Sequence, residues 1–72
     1  FSIVEIGAVQ DWHDNTLGQL DIRAKYDLNV IAIKRKSAVM ISPNANERLL
    51  KGDILVVVGQ NKDIRKLEKI IE

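Results

Sequence analysis

The sequence predicts an α+β fold, a small mixed β-sheet carrying two helices in the order β-α-β-β-β-α. Three observations predict it. Runs of β-branched and aliphatic residues recur at 1–8, 29–35, 38–42 and 54–59, each of strand length. Elsewhere apolar residues fall three and four apart, at Leu17, Leu20 and Ala24 and again at Ile64, Leu67 and Ile71, the period of a helix with one buried face. Turn residues, chiefly Pro43 and the pair Gly52-Asp53, punctuate these segments. Helices packed on a sheet bury both apolar sets at once.

Residues 1–8 (FSIVEIGA) alternate, with Ile3 and Glu5 facing away from Val4 and Ile6, and form the first strand. Residues 11–15 (DWHDN) are polar and read as a loop. Asn15 or Thr16 then caps a helix by accepting a backbone N–H bond. Gly18 weakens that helix, so a short piece is expected, with Asp21 capping a second piece over 22–26. The second strand is 29–35 (NVIAIKR) and the third 38–42 (AVMIS). Lys36 and Ser37 join them as a tight hairpin, although neither is favoured in such turns. Pro43 ends the third strand because it lacks a ladder donor. Residues 44–50 are expected to make one helical turn. Residues 54–59 (ILVVVG) are continuously apolar, as in a strand buried on both faces or nearly so. Asn61 caps the last helix, whose apolar stripe is Ile64, Leu67, Ile70 and Ile71, with Lys62, Arg65, Lys66 and Lys69 facing water.

At 72 residues the chain is one domain. So short a chain buries only about 60% of its unfolded surface, and pairing with a second copy would add to its core. Phe1 stands where an initiator Met is expected, as in a piece of a longer protein. The chain has no cysteine, hence no disulfide and no thiolate metal site. No apolar run approaches the roughly 20 residues of a membrane span. Eleven basic side chains nearly balance ten acidic ones, and the aromatics Phe1, Trp12 and Tyr26 are scattered. That balance disfavours DNA or RNA as a partner.

Catalytic chemistry finds little support. The single histidine, His13, lies in the polar loop, and Asp11 and Asp14 beside it lack metal-ligand helix spacing. No serine carries a nucleophile motif, and the four glycines are isolated rather than forming a phosphate loop. The expectation is no enzyme, no cofactor and no metal. The informative stretch is 16–30 (TLGQLDIRAKYDLNV). A helix-to-strand connection brings Arg23 and Asn29 toward one spot. Arginine presents a rigid fork of donors suited to phosphate, Asn29 adds an amide donor, and Leu17, Val30 and Pro43 offer apolar surface. Donors beside apolar walls are what a nucleotide needs. The same residues also fit a plainer role, with Asp21 as a helix cap and Arg23 as a surface charge.

That stretch, together with VIAIKR (30–35), ISP (41–43) and KGDILVVVG (51–59), resembles the C-terminal lobe of the regulator-of-potassium-conductance domain, also called the TrkA C-terminal (RCK_C) domain. More narrowly it is similar to the gating-ring subunits of bacterial Ktr potassium-uptake systems. The resemblance spans nearly the whole chain. It implies a two-fold homodimer, a non-catalytic regulatory role, and a cytoplasmic position beneath a membrane potassium channel subunit reached through the full-length protein. It further implies cyclic di-AMP as a regulatory ligand, bound at the dimer interface to inhibit transport. By position, Leu17 corresponds to the family's aliphatic contact with adenine and Pro43 to the proline of its apolar wall, Asn29 to its asparagine contact with phosphate and Val30 to the next residue, whose backbone N–H also meets phosphate, and Asp21 and Arg23 to the acidic and arginine positions of its binding cleft, where Asp21, repelled by a phosphate, orients Arg23. Asp27 stands where relatives often have glycine at the helix end, a left-handed position that Asp tolerates. The rival expectation is a structural dimerisation lobe with no ligand of its own.

Overall fold

The computed structural model describes residues 1–71. Four strands, β1 (Ser2–Gly7), β2 (Asn29–Arg35), β3 (Ala38–Ile41) and β4 (Ile54–Gly59), form one sheet in the order β1-β4-β2-β3. All three ladders are antiparallel, so the sheet is uniform where a mixed one was expected. The reason is topological. β1 and β2 run the same way, as a helical crossover requires, but β4 returns and inserts between them. No parallel neighbours remain.

The crossover is a 3-10 turn (Gln10–Trp12) followed by α1 (Leu17–Leu20) and α2 (Ile22–Tyr26). Thr16 caps α1 reciprocally. Its hydroxyl accepts from the Gln19 N–H at 3.1 Å, and the Gln19 side chain accepts from the Thr16 N–H at 2.8 Å. Asp21 sits between the pieces at φ 51°, and its side chain makes no capping bond, contrary to the expected recap. Its left-handed backbone closes α1 instead, donating to the Leu17 carbonyl. Asp27 closes α2 in the same way at φ 59°.

β2 and β4 occupy the predicted residues. A bulge at Ile31 shifts the β2–β4 register, pairing Val30 with Val57 but Ala32 with Val56. β3 stops at Ile41, one residue early, because Ser42 turns to φ 52° ahead of Pro43. Residues 44–50 form no helical turn. The Asn44 carbonyl accepts from Glu47 N–H, a single β-turn, and the chain then runs extended beside the N-terminus of α1. α3 spans Asn61–Ile71, and the Gln60 carbonyl accepts from Asp63 and Ile64, which places the cap at Gln60. Asn61 accepts from Ser2 Oγ at 2.5 Å instead.

The core lies between the helices and one sheet face. Ile6, Ile22, Leu28, Ile33, Leu49, Leu55, Val57, Ile64 and Leu67 are buried there. Register explains the selection: Val4, Ile6 and Ile33 share a face with Leu55 and Val57. β4 is thus covered on one face, not two, since Ile54, Val56 and Val58 are only half-buried. The other face keeps Ile3, Val39 and Ile41 exposed, and Ile70 of the expected α3 stripe is exposed as well.

Candidate functional site

The six residues singled out from the sequence, Leu17, Asp21, Arg23, Asn29, Val30 and Pro43, all line one open groove of about 330 Å³. That is the low end of the range for small-molecule clefts, about 300–1,000 Å³. Three chain segments build it. The α1–α2 junction brings Leu17, Asp21 and Arg23. The start of β2 brings Asn29 and Val30. The turn after β3 brings Pro43.

Local structure dictates each position. The left-handed backbone at Asp21 swings α2 away from α1 and sets Arg23 on the groove. Asp27 performs the same reversal into β2, so that Asn29 enters the sheet opposite Val58. Val30 shares the core face with Val57 and is half-buried. Asp21, Arg23 and Asn29 are exposed, while Leu17, Val30 and Pro43 are half-buried. The groove is therefore polar at its lip and apolar within.

Among the described residues, neither the Arg23 guanidinium nor the Asn29 carboxamide has a hydrogen-bond or ion-pair partner. Asp21 does not pair with Arg23, so the expected orienting contact is not formed in the single chain. Donors left free at the mouth of an apolar groove suit an anion attached to a flat apolar group.

The wall carrying Pro43 is fixed by main-chain bonds. Leu17 N–H donates to Glu47 O and Gly18 N–H to Ala45 O, each at 2.9 Å, and Asp14 and Leu49 continue this pairing. Gly18 suits so close an approach: a Cβ there would meet the Ala45 carbonyl oxygen at 3.1 Å, and the wall would have to give slightly. Behind the wall, Arg35 grips the 47–53 segment. It donates to both Asp53 carboxylate oxygens (2.9 and 2.8 Å), to the Arg48 carbonyl at 3.0 Å and to Glu47 at 3.4 Å. Arg48 in turn donates to the Asp14 carbonyl. Asp53 is fully buried and also accepts from Leu50 N–H at 2.9 Å. The Arg35 hydrogen bonds hold its carboxyl below the usual carboxylate range against the opposing effect of burial, with help from Leu50 N–H. Arg35 is raised correspondingly, first by its bonds to Asp53.

Gly18, Ile22, Leu28, Asn44 and Ala45 also line the groove and were not foreseen. Their common signal is a place within two positions of the residues that were. A second groove, about 360 Å³, shares Asn29 and adds Phe1, Asp27 and Gln60 among others. His13 is half-buried, with Nε2 3.2 Å from the Ala8 carbonyl. Among the described residues no cluster of three potential ligands assembles for a metal, and no helix is long and apolar enough to cross a membrane.

The TrkA-C domain family matches residues 1–72. The chain belongs to that family. It is 50% identical over 68 residues to Ktr system potassium uptake protein C of Bacillus subtilis (strain 168), covering 94% of this chain and 31% of that protein. It spans about a third of the length of the curated relatives it matches most extensively. Among solved structures it is similar to the RCK C domain of the potassium transport protein KtrA in complex with cyclic diadenosine monophosphate. The TM-score is 0.92 at 46% identity, covering 97% of this chain and 82% of that one. The RCK_C domain dimer of S. agalactiae BusR with the same nucleotide shares the fold alone, at TM-score 0.83 and 16% identity over 99% of this chain and 96% of that one.

Proposed function

We propose that this TrkA-C domain is the ligand-sensing regulatory module of a bacterial potassium-uptake system, and that it binds cyclic di-AMP across a two-fold homodimer. One observation carries the reading: a free guanidinium and a free carboxamide stand at the lip of a single groove whose interior is apolar. Arg23 and Asn29 hold a phosphate, while Leu17, Val30 and Pro43 flank an adenine. Asp21, which repels a phosphate, orients Arg23 once the ligand draws that side chain inward.

Symmetry makes so small a site sufficient. Cyclic di-AMP has a two-fold axis, and a two-fold homodimer presents every residue twice about its own. Each chain then needs to hold only one phosphate and one adenine, within the capacity of a groove this size. The domain performs no chemistry. Ligand binding biases the angle or spacing of the paired lobes, and through the rest of the protein, on the cytoplasmic side, the membrane channel subunit, lowering potassium uptake. Such coupling requires that the nucleotide prefer one arrangement of the pair. The solved nucleotide complex of a KtrA domain 46% identical to this chain supports the reading.

The test is a titration of the domain and its Arg23→Ala variant with cyclic di-AMP. A hydrogen bond to a charged group contributes about 1.5–3 kcal/mol, so Arg23→Ala weakens binding at least about tenfold while the thermal midpoint stays put, because Arg23 is exposed and has no partner among the described residues. Equal affinities for the two proteins move the site elsewhere. An intact dimer that gives no binding signal at high micromolar nucleotide leaves the structural dimerisation lobe.

A further inference from the structure

The turn after β3 contributes a polar group to the groove that the six residues above do not include. Asn44 follows Pro43 directly, lines the groove and is exposed. Its side-chain oxygen Oδ1 accepts from the Asn46 N–H at 2.8 Å, and its backbone carbonyl accepts from the Glu47 N–H at 3.1 Å. Both oxygens are thereby taken up by the turn itself. Among the described residues, the side-chain nitrogen Nδ2 has no partner.

An amide is a donor at one end and an acceptor at the other. Fixing the oxygen fixes which end faces outward, so the end of Asn44 left without a partner among the described residues is its pair of N–H donors. The position is held as well as the orientation. Ala45 O is bonded to Gly18 N–H, Glu47 O to Leu17 N–H, and the bare Gly18 lets the turn close onto α1. A donor on such a wall loses little freedom when it engages a ligand.

We propose that Asn44 is a further ligand-contacting residue of this groove, donating from Nδ2 to a ring-nitrogen acceptor of the adenine that Leu17, Val30 and Pro43 flank. The inference rests on the cyclic di-AMP reading above. Adenine carries three ring acceptors, N1, N3 and N7, and its exocyclic amine is a donor that would meet Nδ2 unfavourably. A side chain that turns its donor end to the groove therefore selects how the base lies as well as how tightly it is held. Arg23 and Asn29 fix the phosphate; Asn44 fixes the edge of the base.

The experiment separates this role from that of a turn residue. In Asn44→Ser the hydroxyl still accepts a local N–H and keeps the turn, but it is too short to carry a donor to the base. One neutral hydrogen bond corresponds to about three- to tenfold in affinity. Asn44→Ser is expected to lose that much affinity for cyclic di-AMP at an unchanged thermal midpoint, and Asn44→Ala, which also gives up the bond from Asn46 N–H, at least as much at a lowered one. One of the analogues carrying 1-deaza-, 3-deaza- or 7-deazaadenine is expected to weaken the unsubstituted protein by the same factor and Asn44→Ser no further. Wild-type affinity in Asn44→Ser, or deaza analogues that weaken both proteins alike, overturns the role of Asn44 and leaves the cyclic di-AMP reading standing. Failure of the unsubstituted domain to bind cyclic di-AMP overturns both.

Discussion

Arg35 and Asp53 lie 18 positions apart and form the most consequential polar contact in the chain. Asp53 is inaccessible to solvent, while Arg35 is about a quarter exposed, so removing the arginine leaves a buried carboxylate unpaired. Arg35→Ala is expected to cost about 3 kcal/mol at neutral pH, measured by urea unfolding. The pH dependence follows from the direction of the Asp53 shift. Its folded-state pKa is depressed, so its stabilising effect is complete above the unfolded value near 3.9 and is lost as pH falls through the folded value. In Arg35→Ala the buried carboxyl takes up a proton more readily, and the deficit relative to the unsubstituted protein narrows toward acid. A deficit that stays constant from pH 7 to pH 3 would assign the loss to packing of the arginine stem. None of this was legible beforehand. Asp53 follows Gly52 and reads as a turn residue, and Arg35 reads as the end of a strand. Only the antiparallel return of β4 brings them together.

The strands and helices were more legible than their arrangement. β2, β4 and the break between α1 and α2 followed from apolar period, the capping threonine and turn chemistry, because those are local forces. Two expectations failed for a shared reason. Residues 44–50 were expected to make one helical turn, yet their main-chain groups are claimed by α1 and the residues before it. β4 reads as buried on both faces or nearly so from its unbroken apolar run, yet its outer face is only half-buried. Local pattern carries no information on which neighbour supplies a bond or a cover. The approach of β4 to the α2–β2 corner is equally non-local. A Cβ on Gly59 would fall 2.2 Å from Leu28 Cδ2, and Leu28 is a buried groove-lining residue. Gly59→Ala therefore displaces Leu28 and is expected to destabilise the fold by about 1–3 kcal/mol. It is also expected to weaken nucleotide binding, which Arg35→Ala disturbs only through the wall behind the groove. An unchanged urea midpoint in Gly59→Ala would show that Leu28 adjusts freely.

For the molecule as a unit, the α+β class and the element order were evident from periodicity, whereas the strand order was not, since nothing local places β4 between β1 and β2. The groove stands in the same relation. Its residues come from three segments, and residue chemistry suggested a meeting of Arg23 and Asn29 beside the apolar Leu17, Val30 and Pro43 but left a plainer role open; the family resemblance favoured the shared site. What remains is whether one groove is a whole site or half of one. A groove of about 330 Å³ with one free guanidinium has the makings of half a cyclic dinucleotide site. Isothermal titration calorimetry of the domain with cyclic di-AMP, with sedimentation in the same buffer, decides it. We expect one nucleotide per two chains, bound by a dimer. One nucleotide per chain, or binding by a monomer that stays monomeric, would contradict the shared site.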